Sequence, residues 1–113
     1  MTIETRIVGD VTILDIQGKM TLGHGDEVLR DTIRSLVSQG KKQIILKMDD
    51  VPYIDSAGLG EVVRSFIALS RQGGQLKLLS PTKRVSDLLD IISVSSVFEI
   101  FEKEEEAVKS FQP

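Results

Sequence analysis

Ser56 carries the side chain of this 113-residue sequence that is best placed to take part in chemistry. It lies in the segment 55–60 (DSAGLG), between an apolar run at 44–46 (IIL) and a series of apolar residues at helical spacing. A serine at the start of a helix commonly caps it by accepting a hydrogen bond from a backbone N–H. Asp55 can also cap, so one of the two side chains is left free. The pattern therefore predicts a hydroxyl that another protein can modify or contact.

The residues after Ser56 are small. Gly58 and Gly60 fall in the first turn of the predicted helix, where each glycine costs about 0.5 to 1 kcal/mol relative to alanine. A helix that serves only for packing would avoid this cost. Together with Ala57, the glycines predict a smooth surface that a partner can approach closely, and Leu59 supplies an apolar contact.

The same residues argue against the common enzyme classes, and a small hydrolase is kept only as a third alternative. A hydrolase nucleophile elbow requires glycine two residues before the serine, where this chain has Ile54. The sole histidine, His24, would have to act as the base, but it lies in a glycine-containing loop. No glycine-rich phosphate loop is present. The acidic pair that holds Mg²⁺ in phosphoacceptor domains is missing, because the second predicted strand is followed by Gln17 and Gly18. We therefore expect a protein without catalytic activity, cofactor or metal.

Composition limits the classes of partner and the cellular locations that are expected for this protein. The net charge of −3 and the isoelectric point near 5.1 argue against direct binding to nucleic acid, which requires a basic patch. The absence of cysteine excludes disulfides and thiolate metal sites. The first residues lack a secretion signal, and no apolar run approaches the ~20 residues needed to span a bilayer. We expect a cytoplasmic protein without a membrane span.

Apolar periodicity predicts the order of the secondary structure elements. Two strands joined by a tight Gly9-Asp10 turn should form an antiparallel hairpin, and the strand–helix–strand unit around Ser56 should contain a parallel pair. The expected strands cover 3–8, 11–16, 44–48, 75–79 and 97–101; the expected helices cover 26–38, 56–72, 82–92 and 102–111, with a polar link at 93–96.

These elements predict an α/β fold with one domain over 1–113. The sheet should be mixed, with four or five strands and with helices mainly on one side. We expect only the central strand to be apolar on both faces.

The chain resembles the STAS-domain anti-sigma factor antagonists. The resemblance rests on the DSAGLG segment between its apolar strand and the helix that continues with 61–63 (EVV), and it extends over nearly all of the chain. It implies that Ser56 is the phosphorylation site of a partner that is both anti-sigma factor and serine kinase. The unphosphorylated form would bind that partner and free the sigma factor, and phosphorylation would switch binding off. A serine phosphatase would reverse the modification.

The sequence departs from the family at two positions. Many relatives have aspartate beside the phosphorylation site where this chain has Thr21, and many have a second hydroxyl where it has Ala57. The predicted partner-binding residues are Thr21, Tyr53, Asp55, Ala57, Gly58, Leu59 and Gly60. An alternative also stays open: the same domain type serves as a non-phosphorylated adaptor subunit in transport or signalling complexes.

Overall fold

A computed structural model describes residues 1–92 and 96–112 of the chain. In these residues strands and helices alternate after an initial strand pair. The elements are β1 (Thr2–Val8), β2 (Val11–Gln17), α1 (Gly25–Ser38), β3 (Gln43–Asp50), α2 (Ser56–Arg71), β4 (Gln75–Leu79), α3 (Lys83–Ile91), β5 (Ile100–Phe101) and α4 (Glu104–Lys109).

The five strands form one mixed sheet in the order β1-β2-β3-β4-β5. β1 and β2 pair antiparallel through a turn at Gly9, whose φ of 61° favours glycine. The pairs β2–β3, β3–β4 and β4–β5 are parallel, as the crossover helices require. The predicted mixed sheet is confirmed.

Helices cover the two faces of the sheet unequally. The face formed by side chains such as Leu14, Leu46 and Leu78 packs against α1, α2 and α3 in the larger apolar core. The other face carries Ile13 and Ile45 and is covered by α4. This arrangement confirms the prediction of helices mainly on one side.

The prediction that only the central strand is apolar on both faces is wrong. Ile13 of β2 and Leu79 of β4 are also buried on the face that α4 covers. The reason is that α4 folds back across the sheet and shields three adjacent strands rather than one.

Element boundaries differ most near the end of the chain. The last strand is confined to Ile100–Phe101, and Phe98 instead packs its ring against Phe66 with centroids 5.1 Å apart. Residues 93–95 of the predicted polar link lie outside the described residues. The extent of the domain over 1–113 stays a prediction. None of the helices in the described ranges is long and apolar enough to cross a membrane.

Candidate functional site

The candidate site lies at the start of α2, where the chain leaves β3. Asp55 is the N-cap, and its Oδ1 accepts a hydrogen bond from the backbone N–H of Gly58 at 2.9 Å. Ser56 is the first residue of the helix and is exposed. Because Asp55 performs the capping, the Ser56 hydroxyl is left for contact or modification, as predicted from having two residues that can cap.

The loop between β2 and α1 is bound to this helix start. Met20 donates its N–H to the Tyr53 carbonyl oxygen at 3.0 Å, and its own carbonyl oxygen accepts from Asp55 N at 3.3 Å. Leu22 N donates to the second carboxylate oxygen of Asp55 at 3.0 Å. The Asp55 carboxylate therefore joins two segments that are 33 residues apart in the chain.

These hydrogen bonds keep Asp55 ionised. The N–H groups of Gly58 and then Leu22 lower the pKa of Asp55, because they stabilise the carboxylate form. The negative charge beside Ser56 is thus a fixed feature of the site. The bond from Gly58 also occupies one donor at the N-terminus of α2 that would otherwise be free to bind an added anion.

Gly58 has a different role from the one predicted. It is buried, and a Cβ at this position would overlap the carbonyl oxygen of Met20. The expectation that Gly58 leaves backbone bare for a partner is therefore wrong in the isolated chain. The glycine is required because the loop before α1 passes directly over it. Its assignment as a partner-binding residue stays a prediction.

The other small residues fit the predicted surface better. Ala57 and Gly60 are partly exposed, and a Cβ on Gly60 would meet only the guanidinium group of Arg64, at 3.5 Å. Leu59 is 7% exposed, so it belongs mainly to the core. Thr21 is partly exposed and follows Met20, so the fold brings it to the site next to Asp55.

A groove of about 440 Å³ runs from Ser56 along α3. Apolar side chains supply most of its lining, including the largely exposed Ile91. The lining residues are Tyr53, Ile54, Asp55, Ser56, Leu59, Arg84, Val85, Asp87, Leu88, Ile91 and Ile92.

Arg84 is the residue of this site that the sequence analysis missed. It lies on α3, 28 positions after Ser56, and its guanidinium carbon is 4.8 Å from the centroid of the Tyr53 ring. Residues 49–63, the segment around Ser56, include no lysine or arginine. No local pattern marks Arg84, because only the tertiary fold places α3 and the start of α2 on the same groove.

The site lacks the donors of a metal centre. Among residues 1–92 and 96–112, no group of three or more histidine, cysteine, aspartate or glutamate side chains is placed to hold a metal ion. The groups at the site itself are a hydroxyl, a carboxylate, a guanidinium and an aromatic ring. They are suited to protein recognition and to a switch of charge.

Known proteins resemble this chain in sequence. The STAS domain family matches residues 2–107 of the chain. The anti-sigma-B factor antagonist of Bacillus subtilis is 40% identical over 83 residues, which are 73% of this chain and 74% of the relative.

Two solved structures share the fold. The Bacillus cell fate determinant SpoIIAA in its phosphorylated form has a TM-score of 0.77 at 21% identity, covering 98% of this chain and 100% of that one. A sulfate transporter family protein from Wolinella succinogenes has a TM-score of 0.79 at 20% identity, covering 93% and 87%.

Proposed function

Since this chain belongs to the STAS domain family, we propose that it is an anti-sigma factor antagonist switched by phosphorylation of Ser56. In its unphosphorylated form it binds an anti-sigma factor that is also a serine kinase, and the sigma factor is released. The observation that carries the proposal is that Ser56 is exposed at the start of α2 and that Asp55, not Ser56, caps this helix.

The chemistry belongs to the partner. STAS anti-sigma factor antagonists are non-enzymatic regulators, so this chain supplies only the acceptor hydroxyl. A bond forms between Ser56 Oγ and the γ-phosphorus of ATP, and the bond from that phosphorus to the bridging oxygen of ADP breaks. A base of the kinase takes the hydroxyl proton. A serine phosphatase reverses the change by hydrolysis, and all of these events take place in the cytoplasm.

The switch acts through local charge. Phosphorylation adds about −1.5 to −2 charge units beside the ionised Asp55. A partner surface that fits the neutral hydroxyl and the small residues Ala57 and Gly60 has no group that matches the added negative charge, and desolvating that charge costs several kcal/mol. Because each 1.4 kcal/mol is a factor of ten in affinity, a loss of 100-fold or more is expected.

Support for phosphorylation comes from the relatives as well as from the site. A structural neighbour, SpoIIAA, is known in a phosphorylated form, and the Bacillus subtilis relative is an antagonist of an anti-sigma factor. The likeness to the transporter family protein, like that to SpoIIAA, is one of fold alone, whereas the Bacillus subtilis antagonist is 40% identical in sequence. We therefore place the adaptor function second.

The test compares Ser56→Asp and Ser56→Ala with the unmodified chain. Titration calorimetry with an anti-sigma factor kinase from the same organism should show at least 100-fold weaker binding for Ser56→Asp. Ser56→Ala should bind normally and take up no phosphate from ATP. Both should melt close to wild type, because Asp55 rather than Ser56 is the cap.

Ser70→Asp is the matched control, since it adds the same charge to an exposed position of α2 about 21 Å from Ser56 along the helix axis. It should bind as wild type does. Wild-type affinity for Ser56→Asp in a folded state would refute the switch. Tight binding by all variants, with no phosphate transferred to wild type, would favour the adaptor.

A further inference from the structure

We propose that Arg84 is the residue that receives the phosphate on Ser56, so that phosphorylation moves its guanidinium group from the Tyr53 ring to the phosphoserine. This inference deepens the proposed function and rests on it, because it concerns the regulation of the same site. It names the group inside the antagonist that distinguishes the modified form from the unmodified one.

Two of the backbone donors beside Ser56 are already occupied by the Asp55 carboxylate. Asp55 accepts hydrogen bonds from Gly58 N at 2.9 Å and from Leu22 N at 3.0 Å. A phosphate on Ser56 would compete with this carboxylate for the same donors and would also be repelled by its charge. A cation from elsewhere in the fold offsets this repulsion.

Arg84 is located close to the site of modification. Arg84 and Ser56 line the same groove, and Tyr53, on which the guanidinium stacks, lies three residues before Ser56. The other charged groups of the lining, Asp55 and Asp87, are acidic, so Arg84 is the cation among the described lining residues. A guanidinium forms two parallel hydrogen bonds to phosphate oxygens, a geometry that an ammonium group cannot provide.

Arg84 is held only weakly in the unmodified chain. Its side chain is exposed, and its contact with Tyr53 is a cation–π stack of the kind that contributes little at the surface. No ion pair to a carboxylate holds Arg84 within the described part of the chain, whereas its neighbour Lys83 is paired with Asp87 at 2.9 Å. Arg84 can therefore exchange the ring for the phosphate at small cost.

The consequence is a change of two surface features at once. The unmodified site shows a hydroxyl beside a tyrosine covered by a guanidinium. The modified site shows a phosphate–guanidinium pair beside an uncovered Tyr53. A kinase and a phosphatase can thus each recognise a different arrangement of the same residues without any refolding of the sheet or helices.

The test uses full-length chain with phosphoserine incorporated at position 56 during translation, so that no kinase is required. The second ionisation of the phosphate, near pH 6 in free phosphoserine, is followed by phosphorus NMR. Removal of the cation in Arg84→Gln should raise its midpoint by about 0.5 pH unit, the effect of losing one exposed opposite charge. Arg84→Lys, which keeps the charge, should shift it by less.

Lys83→Gln is the matched control, because it removes the same charge from the adjacent position, whose side chain is 88% exposed. It should leave the midpoint close to wild type. An unchanged midpoint in Arg84→Gln, or an equal shift in Lys83→Gln, would overturn the proposal. Thermal melts of the variants should match wild type, since both side chains are exposed.

Tyr53 provides a second readout, because it is the only tyrosine and the chain has no tryptophan. Its ring proton shifts should change on phosphorylation in the wild type and not in Arg84→Gln. The two proposals fail separately. If the phosphate pairs with Arg84 but no kinase modifies the chain, only the proposed function is refuted. If a kinase switches partner binding but the phosphate does not interact with Arg84, only this inference is refuted.

Discussion

Gly58→Ala and Gly60→Ala are expected to change the stability of this protein in opposite directions, although both glycines lie in the first turns of α2. Alanine is favoured over glycine inside a helix by about 0.8 to 1 kcal/mol. At Gly60 the added methyl group meets only the flexible end of Arg64, at 3.5 Å. Gly60→Ala should therefore increase the free energy of unfolding by about 0.5 to 1 kcal/mol.

At Gly58 the same methyl group has no room. It would overlap the Met20 carbonyl oxygen and lie 3.0 Å from Cγ1 of Ile54. Overpacking of this kind costs about 1 to 3 kcal/mol. Moving Met20 also strains its hydrogen bonds with Tyr53 and Asp55, each worth about 0.5 to 1.5 kcal/mol. After the helix gain is subtracted, Gly58→Ala should lose about 2 to 3 kcal/mol.

Urea denaturation followed by circular dichroism measures both changes, and thermal melts provide an independent check. For a domain of this size 1 kcal/mol corresponds to about 4 °C, so Gly58→Ala should melt about 8 to 12 °C below wild type and Gly60→Ala about 2 to 4 °C above it. A Gly58→Ala variant as stable as wild type would refute the close passage of the Met20 loop over α2.

Two further predictions concern the face of the sheet that α4 covers. The Arg6 guanidinium donates a hydrogen bond to Glu104 and lowers the pKa of that carboxyl below its ordinary value of 4.5. The contribution of this ion pair to folding stability is therefore fully present above pH 4.5 and is lost as pH falls through the lowered pKa. Arg6→Gln should cost at most about 2 kcal/mol at pH 7, because it removes two partly exposed ion pairs, to Glu104 and to Asp15, each worth up to about 1 kcal/mol. Its deficit in urea unfolding should shrink below pH 4.5, where the pair with Glu104 is lost. Lys77→Ala should cost about 2 to 3 kcal/mol, because the buried ammonium donates to the carbonyl and hydroxyl oxygens of Ser110 at 3.1 and 2.9 Å. Hydrogen exchange should then be faster in α4, and unchanged exchange there would contradict this role of Lys77.

Lys77 also shows where periodicity misleads. It lies between Leu76 and Leu78 of β4, and alternation alone would place such a lysine on a solvated face. In the structure it is 3% exposed beneath the C-terminal segment, with Nζ 4.4 Å from the centroid of the Phe111 ring. Its environment depends on α4, which is 27 residues further along the chain, so the strand pattern carries no information about it.

The order and type of the elements, by contrast, are present in the sequence. Each depends on residues close to one another along the chain: the spacing of apolar side chains, the tight turn at Gly9 and the end of β3 before Pro52. The placement of Ser56 at a helix start follows from the same local signals. These features were predictable because backbone geometry and side-chain periodicity act over a few residues.

Only the tertiary structure decided how the site is assembled. It joined the loop at Leu22 to the Asp55 carboxylate, 33 positions further along the chain. It buried Gly58 beneath the Met20 carbonyl and brought Arg84 to the groove that holds Ser56. Each of these contacts joins residues 28 or more positions apart, and their proximity is determined by how the helices and loops pack on the sheet rather than by any local pattern.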